Sequence, residues 1–152
     1  MCGISGLHHK LSSPTPSGES ILQQMNEALL HRGPDGGGLQ WFTDNDFGLA
    51  HRRLSIIDLS AAAAQPMHSN GRYWLSFNGE IYNYLELRTE LLALGARFQS
   101  ASDAEVLLQA YVYWGTDCLK RFNGMWAFAI FDVEKNLYFA HATPTASSPF
   151  IT

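Results

Sequence analysis

Two apolar, β-rich runs, GMWAFAIFD at 124–132 and LYFAH at 137–141, stand only four residues apart. A link this short closes a hairpin, because a parallel crossover takes about a dozen residues or more. The chain is thereby committed to an antiparallel sheet. The same device recurs upstream. LQWFT and FGLAHRRLSI flank DND at 44–46 as a second hairpin, and residues 2–11 read as a short strand. RYWLSFNGEIYN, at 72–83, carries Asn-Gly between apolar runs, the strongest short hairpin signal.

Between these runs lie helical patterns. Residues 19–31 place Ile21, Leu22, Met25, Leu29 and Leu30 near helical spacing, which predicts one buried face, with Ser17 or Ser20 as cap. Residues 84–95 form an amphipathic helix ended by Gly95. Residues 102–115 open with a capping box, Ser102 to Glu105, and end at Gly115. HRGPDGGG at 31–38 reads as an irregular loop, and AAAAQPM at 61–67 as a second one. Hairpins plus paired helices, without βαβ repetition, make an α+β chain. No internal repeat or linker divides it.

The bulk properties exclude several classes. With 46% hydrophobic and 16% charged residues in 152, a packed core is expected rather than disorder. A net charge of −4 argues against a nucleic-acid partner. No apolar stretch approaches a membrane span, and the N-terminus does not read as a signal peptide. Two cysteines without a CxxC give no disulfide framework, so the expectation is a reduced, cytoplasmic protein. Six histidines show no metal spacing, so no metal site is assigned.

The chemistry concentrates in five stretches: MCGI at 1–4, HRGPDGGG at 31–38, LAHRRLSIIDLSAAAAQPM at 49–67, FNGEIYNYLELR at 77–88 and SDAEVLLQAY at 102–111. If Met1 is removed, Cys2 carries a thiol and a free α-amine, a nucleophile with its own base. In this order the five stretches resemble the class II glutamine amidotransferase domain, an N-terminal-nucleophile hydrolase. The likeness is nearest to the N-terminal glutaminase domain of glutamine-hydrolysing asparagine synthetases.

The resemblance implies a four-layer αββα sandwich of two antiparallel sheets flanked by helices, incomplete at the C-terminus. It implies hydrolysis of L-glutamine to glutamate and ammonia through a thioester on Cys2. By matched position, Asn78 and Gly79 would form the oxyanion hole. Arg53 would hold the substrate carboxylate. Glu80 and Asp103 would line the glutamine pocket, with Asp103 the better candidate for the substrate ammonium. ATP and magnesium would belong to a synthetase domain that accepts the ammonia, and no cofactor is expected in this chain. The alternatives are a catalytically inactive truncated fragment, or a binding or regulatory module on the same scaffold.

Each residue also has an ordinary structural reading. Asn78–Gly79 is a ready type I′ turn. Asp103 complements a helix dipole. Arg53 suits a solvated strand, and Cys118, in TDCLKRF, a buried inert thiol. The joint occurrence reverses these readings, and that argument rests on the resemblance.

After residue 140 the sequence departs from the resembled pattern. HATPTASSPFIT stands where a strand of the form RDxxGIKPLYY is expected. A synonymous coding of residues 141–152, read two nucleotides on, spells RDPYGIKPFYY. The expected organisation is a partial amidotransferase domain at 1–140 and an aberrant, frameshifted tail at 141–152, extended or disordered. The preceding strand is expected to keep its pairing.

Overall fold

The computed structural model describes residues 2–8, 17–54 and 61–144. Among them, seven strands form two antiparallel sheets. Strands β1 (Gly3–His8), β2 (Gly36–Phe42) and β3 (Phe47–Arg53) make the first, in the order β1-β3-β2. Strands β4 (Met67–Ser69), β5 (Tyr73–Ile81), β6 (Gly124–Asp132) and β7 (Leu137–Ala142) make the second, in that order. Helix α1 (Gly18–Ala28) covers the outer face of the first sheet. Helix α3 (Asp103–Trp114) lies on the second, with α2 (Tyr84–Ala93) packed against it. The layers run α1, sheet, sheet, α2 with α3, as expected.

Local chemistry sets most boundaries. Ser17 caps α1 by accepting the Ser20 N–H at 3.3 Å. Asp46, at φ 48°, closes the β2–β3 hairpin, and Asn136, also at φ 48°, closes β6–β7. Gly95, at φ 97°, ends α2. Ser102 accepts the Glu105 N–H at 3.2 Å, one half of the expected capping box. The other half is diverted. The Glu105 carboxylate accepts the Gln99 and Ser100 N–H groups at 2.8 and 2.7 Å, binding the preceding loop to α3.

Three expectations are corrected. Gly36–Gly38 are not loop: they pair with Arg53, Arg52 and His51 as the first residues of β2. Asn78–Gly79 are not a turn: they lie within β5, opposite Ala127 and Trp126. The buried face of α1 is Leu22 with Asn26, whereas Met25 and Leu30 are exposed. Asn26 is drawn inward because its Nδ2 donates to the Gly38 carbonyl and its own carbonyl accepts Arg52 Nε at 3.0 Å.

The main core lies between the second sheet and its helices, around Leu75, Phe77, Ile81, Leu107, Leu108, Phe128 and Ile130. A smaller aromatic cluster of Phe47, Leu49 and Phe131 fills one end of the space between the sheets, with Phe42 and Trp74 against it. The other end is polar. There Ser76 Oγ donates to the Ala50 carbonyl at 3.0 Å, and His51 Nε2 stands 3.1 Å from the Phe77 carbonyl.

Strand β7 pairs with β6 as expected, and it continues through His141 and Ala142. Pairing of this kind uses main-chain groups that any non-proline residue supplies. Residues 145–152, most of the expected aberrant tail, lie outside the described residues.

Candidate active site

In an antiparallel pair, residues standing opposite project to the same face. His51 faces the second sheet, and Ile4 is its partner on β1. Two residues along, by the alternation of a strand, Arg53 and Cys2 project the same way. Cys2 Sγ is held at the end of β3: the Leu54 N–H donates to it at 3.4 Å and the Leu54 carbonyl lies at 3.6 Å. The nucleophile candidate and the carboxylate-binding candidate thus stand side by side at one end of the sandwich.

The facing residues come from β5. The two cross-sheet contacts, Ala50 with Ser76 and His51 with Phe77, advance together along β3 and β5. Continuing that advance brings Arg53 toward Gly79. Ser76, Asn78 and Glu80 share the face of β5 turned to the first sheet. Asn78 is half-buried and Glu80 exposed.

The open edge of β5 is the unusual part. Past the end of β4 its peptides are met by side chains instead of a strand. The Phe77 N–H donates to Gln65 Oε1 at 2.6 Å, and the Ile81 N–H to Asp103 Oδ2 at 3.1 Å. Gly79, midway between them, directs its N–H to the same edge. Among the described residues no acceptor meets it. Gly79 must also be glycine for packing: a Cβ there would run into the Met125 carbonyl and lie 2.5 Å from Trp126 Cα.

Asp103 begins α3 and is buried. Burial pushes its carboxyl above the ordinary carboxylate range. The hydrogen bonds from Ile81 and Ala104 oppose the shift and the charge of Glu80 adds to it. His51, 1% exposed, is driven down to about 4, chiefly by burial and further by the Arg53 charge. It is therefore a neutral imidazole, and donating from Nε2 to Phe77 leaves its Nδ1 as a bare acceptor.

The match to known proteins decides what this constellation belongs to. The family model described as "glutamine amidotransferase domain" matches residues 1–149. The chain belongs to the glutamine amidotransferase domain family. Asparagine synthetase (glutamine-hydrolyzing) 1 of Bacillus subtilis is 39% identical over 150 residues, covering 98% of this chain and 23% of that protein. Asparagine synthetase B (glutamine-hydrolyzing) of Escherichia coli is 40% identical over 141 residues, covering 91% and 24%. The chain thus spans about a quarter of the length of these relatives and matches their N-terminal part. The fold is shared with a glutamine phosphoribosylpyrophosphate amidotransferase of B. subtilis at a TM-score of 0.61 and 20% identity, covering 85% of this chain and 35% of that one.

Within this amidotransferase domain, Cys2 meets Leu54 at the end of β3, while Asp103 lies by Glu80 and Ile81 at the end of β5, next to Asn78 and Gly79. Cys118 is fully buried, and burial pushes its thiol up to about 12. Among the described residues no helix is long and apolar enough to cross a membrane, and no cluster of metal-ligating side chains forms. Sequence reasoning missed Gln65 and His51. The signals were a lone Gln before Pro66 and a His within the apolar alternation FGLAH, and neither names a partner.

Proposed function

We propose that this domain hydrolyses glutamine to glutamate and ammonia, with Cys2 as nucleophile. Removal of Met1 exposes the α-amine of Cys2, and an α-amine ordinarily titrates at about 7.7–8.0, which suits a base near neutral pH. The amine takes the thiol proton as sulfur attacks the side-chain amide carbon. The carbonyl electrons move onto oxygen, which the Gly79 N–H and the Asn78 side-chain amide receive. Collapse breaks the C–N bond, the amine hands its proton to the departing ammonia, and a thioester remains. Water, deprotonated by the same amine, cleaves it to glutamate. Arg53 holds the substrate carboxylate with its fork of donors, and Asp103, with Glu80 beside it, faces the substrate ammonium.

The single observation carrying this reading is the open Gly79 N–H on the β5 edge, beside Asn78 and at the Cys2 end of the sandwich. A donor left unmet in a strand is poised for charge that develops only during reaction. A thiol with its own amine needs no metal here. ATP and magnesium belong, on this reading, with a synthetase domain that accepts the ammonia, in a cytoplasmic enzyme.

The test is glutamate release by the wild-type chain and its variants. Cys2→Ala is expected to abolish it with the fold intact, and release that survives ends the assignment. Arg53→Lys is expected to raise KM more than it lowers kcat, since lysine lacks the bidentate geometry. An unchanged KM returns Arg53 to a structural role. We also propose that residues 141–152 arise from a slip of frame near Ala140. Codons there that spell the expected strand in neither shifted frame would end that idea.

A further inference from the structure

Strand β4 stops at Met67, opposite Leu75. Its register, continued, would set Gln65 opposite Phe77 and Ala63 opposite Gly79. That backbone pairing does not form. Ala61–Ala63 coil into a 3₁₀ turn. The Gln65 side chain takes over instead. Its Oε1 accepts the Phe77 N–H at 2.6 Å. Its own carbonyl packs against Gly38 of β2, where a Cβ would collide with it. His51 Nε2 meets the Phe77 carbonyl on the same edge. The N–H and the carbonyl of Phe77 are therefore each held by a side chain, and the next N–H on that edge, that of Gly79, is met by none among the described residues.

We propose that Gln65 is a positioning residue for glutamine hydrolysis. Its carboxamide oxygen fixes the Phe77 peptide, and through the pleat of β5 it sets the direction of the Gly79 N–H and of Asn78. A side chain does this where a strand would fail: a longer β4 would place a carbonyl on the Gly79 N–H and consume the donor. This inference rests on the reading of Gly79 and Asn78 as oxyanion donors. Gln65 itself touches no reacting atom.

The experiment compares Gln65→Met, which removes the acceptor, with Gln65→Glu, which keeps an oxygen in its place. Gln65→Met is expected to lower kcat about tenfold or more while KM stays within about twofold, because a misdirected donor weakens only the transition state. Gln65→Glu is expected to restore kcat to within about threefold of wild type, a rescue that geometry alone explains. Amide hydrogen exchange by NMR gives a readout independent of turnover. Phe77 is expected to exchange at least about tenfold faster in Gln65→Met and not in Gln65→Glu, with the Gly79 amide resonance displaced, as loss of a protecting hydrogen bond requires. Wild-type kcat in Gln65→Met, or an unchanged Phe77 amide, overturns the proposal. So does a kcat loss that Gln65→Glu fails to restore. Hydrolysis that survives Cys2→Ala overturns the functional reading instead, so the two failures are distinct.

Discussion

Asp103 accepts the Ile81 N–H at 3.1 Å, joining the first residue of α3 to the last residue of β5. The same carboxylate is proposed to face the substrate ammonium, so one group has two separable duties. Asp103→Ala leaves a buried N–H without a partner and is expected to cost about 1–3 kcal/mol in chemical denaturation. Asp103→Asn keeps an acceptor and loses the charge. It is expected to hold most of that stability while raising KM for glutamine about 10–100-fold, the scale of a hydrogen bond between charged groups. A KM unmoved by Asp103→Asn leaves only the structural duty.

Gly79→Ala pushes a methyl into the Met125–Trp126 backbone, which β6 cannot yield without breaking its pairing with β5. The expected cost is about 1–3 kcal/mol, the range for overpacking, read as a lower urea midpoint. Asn78→Ala meets no such obstacle. Its expected effect is a fall in kcat of about 10²–10³-fold, as for loss of one oxyanion donor. Equal losses of stability in both variants would contradict this division.

The buried imidazole of His51 makes stability fall with acid. Its pKa in the folded chain is about 4 against the ordinary 6.5 of a histidine, so the unfolded chain binds a proton first. The stabilisation is complete above pH 6.5 and is lost progressively as pH falls toward about 4. Over that window the loss is about 3 kcal/mol. Asp103 acts oppositely: its raised pKa favours the folded state below the ordinary carboxylate range and withdraws that support as pH rises. The two are separated by following the difference between wild type and His51→Gln in denaturant titrations. A gap that stays constant from pH 7 to 4 contradicts the buried neutral histidine.

The two thiols differ in access. Cys2 is half-buried, and Cys118 is fully buried with its thiol pushed up to about 12. Iodoacetamide under native conditions is expected to label Cys2 and to spare Cys118 until the chain is unfolded, since the thiolate is the reacting form. Peptide mass mapping before and after denaturation checks this, and early labelling of Cys118 would contradict its place in the core.

Much of the fold was legible because hairpins are local: four residues after Asp132, or three after Thr43, leave few ways to connect two strands. Asn78–Gly79 misled because its partner, β6, lies far along the chain, and long-range pairing overrides turn preference. Gly36–Gly38 misled for another reason: a run of glycines reads as loop, yet the local β2–β3 hairpin extends far enough to pair them with Arg53, Arg52 and His51. The candidates Cys2, Arg53, Asn78, Gly79, Glu80 and Asp103 came from family resemblance, not from any local pattern. Gln65 and His51 were not legible, because each meets a main-chain group of Phe77, and main-chain partners leave no trace in residue type.

Strand β4, three residues long, ends where the sheet could still have grown. Unfinished pairing of this kind is ordinarily a defect that selection for stability would repair. Here repair would be self-defeating. On the proposed reading, a change that let residues 61–66 straighten into β4 would set a carbonyl on the Gly79 N–H and seal the edge that hydrolysis would use. Variants gathered by heat tolerance alone would therefore drift toward silence. Any effort to harden this domain should leave the short β4 as it is and seek its gains in the cluster of Phe47, Leu49 and Phe131 at the opposite end of the sandwich.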